Sequence, residues 1–235
     1  MRFSKLLLTL ALAGFSVSSV AGVKQYVVTT ISWTEGWAYS AMGEARFNDR
    51  SSLFCQFFDE VTIGCVATSA AGYSVSCRAN AVAMPGFARN VRAMNSASFV
   101  ALYWDPAHQG TCTDMHLIQG SQFLPDPDFY VPYAKYGTIY ISPGVAAGVL
   151  SAVRYNNANP NEFISCEIQA NGYMACMARD NAGTVAACHA TEAENPSFAD
   201  AVRSINELSR VIFHFDPASG VCSSIDVYQS SHHLL

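Results

Sequence analysis

The spacing of its cysteines constrains this chain more than any other feature of the sequence. The first four cysteines are separated by 10, 12 and 35 positions, and the last four by 10, 12 and 34. The eight residues are Cys55, Cys65, Cys77, Cys112, Cys166, Cys176, Cys188 and Cys222. An offset of 111 residues also places Arg92 on Arg203 and Asn95 on Asn206. The pattern predicts that a unit of about 100 residues occurs twice.

The first 21 residues have the pattern of a secretory signal peptide. Two cations, Arg2 and Lys5, precede an apolar run from Leu6 to Phe15, and the segment ends in small residues at Ala21. The apolar run is about half as long as a bilayer-spanning helix needs to be. We therefore expect cleavage after Ala21, a secreted or periplasmic protein, and no membrane span once the leader is removed.

Export determines how the cysteines are interpreted. In an oxidising compartment an even number of cysteines is typical of a disulfide framework. The sequence contains no Cys-x-x-Cys, so the main signal for zinc sites and thioredoxin-like chemistry is missing.

Loss of the leader changes the formal charge from -5 to -7, because Arg2 and Lys5 leave with it. An acidic protein does not attract polyphosphates, and we predict no metal, no cofactor and no nucleic-acid partner.

The predicted organisation has four parts. A signal peptide (1–21) precedes module 1 (22–123), a linker (124–133) and module 2 (134–235). Three prolines in the linker favour a stiff, extended segment. The sequence of each module predicts a β-rich start, followed by three strands, one helix and a final hairpin. The expected fold class is α+β: two tandem copies of an antiparallel, β-rich, disulfide-stabilised module with one helix each, related by a pseudo-twofold axis.

One helix has a clear start signal. Asn195 precedes Pro196, and apolar residues follow at Phe198, Val202 and Ile205. Asn is a favoured N-cap and proline is favoured in the first helical turn. The apolar spacing predicts one helix face packed on a sheet.

The disulfide pairing can only be narrowed from the sequence. Regular hairpins around Ala71 and Ala182 favour bonds between Cys65 and Cys77 and between Cys176 and Cys188. Bonds from Cys55 to Cys112 and from Cys166 to Cys222 would complete that scheme. Alternatives remain open, because a turn at Asn171-Gly172 also brings Cys166 near Cys176.

No catalytic motif stands out. The sequence lacks His-Glu-x-x-His, Gly-x-Ser-x-Gly, a phosphate-binding loop and a dinucleotide fingerprint. The last hairpin places His214, Ser224 and Asp226 on one outward face, with the residue types of nucleophilic catalysis. Polar residues are also what the solvent face of a hairpin ordinarily carries, and we favour that interpretation.

Aromatic residues provide the better functional hint. Trp33 and Trp37 lie in a stretch whose counterpart in the second copy has no tryptophan, and Tyr130 and Tyr133 lie in the linker. Exposed Trp and Tyr bind sugars, peptides and protein partners. The competing interpretation is that these rings cover a groove between the modules.

The second half also resembles a family of uncharacterised secreted bacterial proteins. The resemblance rests on Ala178-Arg179-Asp180 before a cysteine and on the run from Gly220 to Val227. The first half departs from it, with Ala67-Thr68-Ser69 in place of Ala-Arg-Asp. The resemblance implies a bacterial exported protein and no particular activity.

Two functions follow from the sequence. The preferred one is a non-enzymatic binding or structural protein with an unknown protein or glycan partner. The alternative is a secreted hydrolase or enzyme inhibitor with a site at the module interface.

Overall fold

The computed structural model describes residues 28–42, 51–107, 110–124, 138–155 and 161–229, without the side chains of 154 and 155. The predicted signal peptide lies outside these ranges. So does the predicted linker, apart from Leu124, which is buried.

The described part of the protein is mostly β, with 52% of the described residues in strands and 15% in helices. The described residues form fourteen strands and three α-helices. In the first half the strands are β1 (Thr30–Ser32), β2 (Trp37–Ala41), β3 (Ser52–Phe57), β4 (Thr62–Thr68), β5 (Ser74–Asn80), β6 (Ser98–Trp104) and β7 (Cys112–Gly120). In the second half they are β8 (Tyr140–Ser142), β9 (Val145–Val149), β10 (Phe163–Gln169), β11 (Tyr173–Arg179), β12 (Val185–Thr191), β13 (Ser209–Phe215) and β14 (Cys222–Gln229). The helices are α1 (Pro85–Ala93), α2 (Leu150–Tyr155) and α3 (Pro196–Ser204), and a 3-10 turn covers Ser121–Phe123.

The strands form three antiparallel sheets. One has seven strands in the order β1-β2-β6-β7-β10-β11-β12, one has four in the order β14-β13-β9-β8, and one has three in the order β3-β4-β5. In the largest sheet β7 pairs with β10, which places Leu117 opposite Ile168 and Gln119 opposite Cys166. Strands from both halves of the sequence therefore share one sheet.

This arrangement corrects the predicted fold class. A layout of two α+β modules is wrong, because the protein is mostly β and its largest sheet crosses the boundary between the halves. The prediction of one helix per module also misses α2, a six-residue helix in the second half. Local sequence patterns identify strands but do not predict which other strand each of them will pair with. Here β10 covers the edge of β7, which satisfies backbone groups that would otherwise be unpaired.

The helix predicted from Asn195 is confirmed. The Asn195 side chain accepts a hydrogen bond from the Phe198 amide at 3.1 Å, and Pro196 begins α3. Phe198, Val202 and Ile205 are all buried in the core. These local signals are sufficient because an N-cap and an apolar stripe do not depend on tertiary context.

All eight cysteines form disulfides, which confirms the predicted framework, but the favoured pairing is wrong. The bonds join Cys55 to Cys65, Cys77 to Cys112, Cys166 to Cys176 and Cys188 to Cys222. On the middle strand β4, Cys65 lies opposite both Cys55 and Cys77.

Sheet geometry explains which neighbour is bonded. A residue on a middle antiparallel strand forms a close, non-hydrogen-bonded pair with one neighbour and a wider, hydrogen-bonded pair with the other. The Cα atoms of Cys55 and Cys65 are 4.0 Å apart, which marks the close pair. Cys77 is thus left to bond Cys112. The same geometry recurs for Cys166 and Cys176, also 4.0 Å apart, which is the alternative left open at the Asn171-Gly172 turn.

Candidate functional site

The outer face of the seven-stranded sheet carries a concentration of aromatic side chains. Strand alternation produces it: Ala38 and Ser40 on β2 and Val100 and Leu102 on β6 are buried in the core, so their neighbours point outward. Those outward neighbours are Trp37, Tyr39, Phe99 and Tyr103, each partly exposed. We call these four residues the aromatic face.

The rings of this face contact one another in sequence. Trp37 stacks on Tyr39 with ring centroids 5.1 Å apart and an interplanar angle of 11°. Tyr39 lies 5.6 Å from Phe99, and Phe99 lies 5.1 Å from the buried Phe123. The ladder therefore begins at partly exposed rings and ends in the interior, which holds its members in place.

A small residue lies at the centre of the aromatic face. Ala101 on β6 is opposite Tyr39 on β2 and His116 on β7. Phe99 and Tyr103 are its neighbours two positions away on the same strand. The Tyr103 and His116 rings are 4.9 Å apart. Ala101 is only 8% exposed, so the four larger rings around it cover most of its methyl group.

A charged cluster adjoins the aromatic face at His116, which lies opposite Ala101. The His116 Nε2 atom lies 3.3 Å from Asp114 Oδ2, and its Nδ1 atom lies 3.2 Å from Glu167 Oε1. Gln169 donates to the same Glu167 oxygen at 2.9 Å. Glu167 and Gln169 belong to β10, so the cluster crosses the boundary between the two halves of the sequence.

The charges in this cluster stabilise one another. Burial by itself lowers the pKa of His116, but hydrogen bonds and charge attraction from Asp114 and Glu167 outweigh it and raise the pKa to about 9. Burial raises the pKa of both carboxyls, but it is outweighed by their interactions with His116, together with hydrogen bonds from the Met115 amide to Asp114 and from Gln169 to Glu167, and both pKa values are lowered. The imidazole is therefore charged at neutral pH.

An open cleft of about 560 Å³ adjoins the cluster on one side. It lies where the start of α1 faces the turn at Ala170–Gly172, and Asp114, Arg89 and Glu192 line it. Glu192 binds Arg203 through two hydrogen bonds of 3.1 and 2.8 Å and contacts Arg89 at 2.7 Å. These interactions lower the pKa of Glu192. Each charged residue that lines the cleft has an ion-pair partner: Arg89 pairs with Glu192, and Asp114 pairs with His116.

A buried asparagine joins the cleft to the sheet. Asn90 on α1 is fully buried, and its side-chain amide donates to the Met115 and Ile168 carbonyls, both at 3.2 Å. Its own carbonyl accepts from Arg203 Nε at 3.2 Å. One side chain thus binds the backbones of β7 and β10 together with a cation on α3.

Of the four predicted binding residues, Trp37 belongs to the aromatic face, whereas Trp33 lies in the turn between β1 and β2. Trp33 is 47% exposed and contacts Trp104 edge-on at 6.4 Å. Trp37 donates its indole N–H to Glu35 at 2.6 Å. Their ring partners belong to the first half of the sequence, so neither ring contact crosses to the second half. Tyr130 and Tyr133 lie outside the described residues.

Sequence reasoning missed the other members of the site. Tyr39, Phe99 and Tyr103 had a local signal, since each alternates with buried residues on its strand. Glu167 had none, because it reaches His116 only through the pairing of β7 with β10.

The predicted cluster of His214, Ser224 and Asp226 is held together by long contacts only. His214 lies opposite Ser224 on the last hairpin, and its Nε2 atom is 3.8 Å from Asp226 Oδ2. Both side chains of that ion pair are more than 40% exposed. The expected sharing of one outward face is confirmed, whereas the separation exceeds hydrogen-bonding distance.

Comparison with known proteins found no match to this chain among protein-family models, curated proteins or solved structures. Among the described residues, no group of three or more His, Cys, Asp or Glu side chains is arranged to hold a metal ion. Nor does that part of the chain contain a helix of the length and hydropathy that a membrane span requires. The four disulfides agree with a periplasmic or extracellular location.

Proposed function

We propose that this chain is an exported, internally duplicated bacterial protein with a cleaved signal peptide that binds its ligand non-enzymatically on the aromatic face. The ligand class that this surface suits best is a glycan. Partly exposed rings surround Ala101, and the apolar face of a sugar can stack on them. Hydrogen-bond acceptors lie close by at Glu35, Asp114 and Glu167.

The difference between the two corresponding sheets carries this proposal. In the four-stranded sheet the positions equivalent to Trp37 and Tyr39 are Val145 and Ala147. Those equivalent to Phe99 and Tyr103 are Arg210 and His214. A sheet needs no aromatic ladder to fold, since its equivalent lacks one. The ladder is therefore available for a function specific to the seven-stranded sheet.

The electrostatics of the site favour binding over catalysis. A general base works best when its pKa lies near the operating pH. His116 is instead held in its charged form, and its two carboxylate partners have lowered pKa values. All three shifts move away from neutrality, as in a structural ion cluster.

A glycan array probed with the mature protein tests the proposal, followed by titration of each positive glycan using tryptophan fluorescence. Tyr39→Ala and Trp37→Ala should weaken binding on the order of tenfold, because each removes a stacking surface. Tyr140→Ala is the matched control, since Tyr140 is 61% exposed on the four-stranded sheet. It should leave affinity unchanged.

Two results would overturn this function. One is an array without any positive glycan. The other is a glycan whose affinity falls equally in Tyr140→Ala and Tyr39→Ala. Turnover of a substrate in a hydrolase panel, lost in His116→Gln, would replace the binding function with the enzymatic alternative.

A further inference from the structure

Among the described residues, the edges of β14 and β3 are the unpaired counterparts of the junction between β7 and β10. Within the chain, the edge of β7 pairs with β10. In the second half β14 occupies the place of β7, and in the first half β3 occupies the place of β10. Neither β14 nor β3 has a second strand partner among the described residues.

The correspondence of β14 with β7, and of β3 with β10, is visible in their disulfides and backbone pairing. β7 and β14 each begin at a disulfide cysteine bonded to the last strand of a three-stranded unit. Each also has a register shift against the preceding strand, at Tyr103/Trp104 and at His214/Phe215. β3 and β10 each carry a cysteine bonded to the next strand at a separation of 10 residues.

The burial of side chains differs between the β7–β10 junction and the corresponding positions of β14 and β3. Met115 and Leu117 on β7 are 0% exposed, whereas their counterparts Ile225 and Val227 on β14 are only partly buried. The β10 side of the junction shows the same difference in burial. Cys166 and Ile168 on β10 are buried, while Cys55 and Phe57 on β3 are only partly buried.

Both edges also lack two of the features that commonly prevent strand addition, although β14 has a register shift against β13 and its Ser223 carbonyl accepts a hydrogen bond from Asn195. β14 spans eight residues with Asp226 as its one charge, and β3 spans six residues with none. Neither strand contains proline or lysine, the residues that commonly protect an edge. Phe54 on β3 and Tyr228 on β14 are 45% and 52% exposed.

We propose that the β14 edge of one copy pairs antiparallel with the β3 edge of a second copy, repeating between chains the junction that β7 makes with β10 within one chain. The occupant is a second copy because the chain itself carries both complementary edges. Such a head-to-tail contact forms rings or extended assemblies. The proposal does not depend on the aromatic face, which belongs to other strands.

The internal junction also predicts the register. Ile118 on β7 lies opposite Glu167 on β10. Their counterparts are Tyr228 on β14 and Gln56 on β3, both exposed. Because Cys166 forms its close pair with Cys176, the next residue, Glu167, forms its close pair with β7. A close pair is the geometry in which an engineered disulfide forms.

The test mixes two separately purified mature proteins, Gln56→Cys and Tyr228→Cys, under mild oxidation. The expected result is a mixed disulfide between the two variants, identified by non-reducing gel and peptide mass spectrometry. Ser224→Cys mixed with Gln56→Cys is the control, since Ser224 lies on the same strand and face but outside the predicted register. That control should cross-link far less.

A second measurement uses light scattering of the mature protein across a range of concentrations. The mass should rise above that of one chain, and Val227→Lys should return it to one chain. Val82→Lys is the matched control, because Val82 is 73% exposed and lies on neither edge. If Val227→Lys fails to fold, the cross-linking result decides alone.

Either of two outcomes overturns the proposal. The first is a protein that stays monomeric at all concentrations without a mixed disulfide. The second is a Gln56→Cys/Tyr228→Cys double variant that cross-links within a single chain, which would show that β14 and β3 pair intramolecularly.

Discussion

His116 on β7 and Glu167 on β10 form an ion pair across the two halves of the sequence, with Nδ1 and Oε1 3.2 Å apart. The same imidazole contacts Asp114 on the other side. The cluster thus couples the charge of one histidine to the strand pairing that unites the largest sheet.

The pH dependence of stability follows from this cluster. The pKa of His116 is raised to about 9 in the folded protein, so its stabilising contribution is complete below its unfolded pKa and is lost as the pH rises through 9. Between pH 7 and 10, the free energy of unfolding should fall by about 2 to 3 kcal/mol more in the parent protein than in His116→Gln. Urea denaturation across this pH range measures the difference. Equal slopes in the two proteins would show that His116 does not titrate with folding.

At acid pH the dependence has the opposite direction, and the free energy of unfolding falls as the pH decreases. Asp114 and Glu167 have lowered pKa values in the folded protein, so their contribution is present above their ordinary pKa values and is lost as the pH falls through the lowered ones. His116→Gln leaves the two carboxylates without their cation. The variant should therefore begin to lose their contribution at higher pH than the parent does.

Local and non-local features differ in how far the sequence predicts them. The N-cap at Asn195 and the buried stripe of α3 were predictable, because a helix start depends on neighbours within one turn. The bond from Cys55 to Cys65 was not, since it depends on which strand forms the close pair with β4. The position of Trp37 near a ring ladder was partly predictable, but Glu167 enters the site only when β10 covers β7.

The disulfide pattern can be tested by peptide mapping without reduction. Digestion should yield linked peptides containing Cys55 with Cys65 and Cys77 with Cys112, and the corresponding pairs in the second half. The chain-entropy model assigns about 3 kcal/mol to a bridge that closes 10 residues and about 4 kcal/mol to one that closes 35. The Cys77→Ala/Cys112→Ala variant should therefore be less stable than Cys55→Ala/Cys65→Ala by about 1 kcal/mol. A mapped Cys65–Cys77 peptide would contradict the pairing.

Glu192 should be important for stability although it lies at the surface of a cleft. Its carboxylate satisfies Arg203, whose side chain is 8% exposed. Glu192→Ala leaves a nearly buried guanidinium without its main partner, a change that costs about 3 kcal/mol or more. Asp200→Ala is the control, because Asp200 is 80% exposed and 3.7 Å from the same arginine. Its effect should be within about 0.5 kcal/mol. Similar losses in both variants would mean that Arg203 is solvated rather than held by Glu192.

The close approach of α1 to the turn after β10 makes Gly86 sensitive to a single methyl group. A Cβ atom at Gly86 would overlap the carbonyl oxygen of Ala170, which is backbone and cannot move aside as a flexible side chain could. Alanine gains about 1 kcal/mol over glycine in helix propensity, whereas forced displacement of packed backbone costs about 1 to 3 kcal/mol. The steric cost should prevail, so Gly86→Ala should lower the melting temperature. Ser197→Ala, at the corresponding exposed position of α3, should change it little. A melting temperature for Gly86→Ala at or above that of the parent protein would show that α1 does not pack against this turn as closely as described.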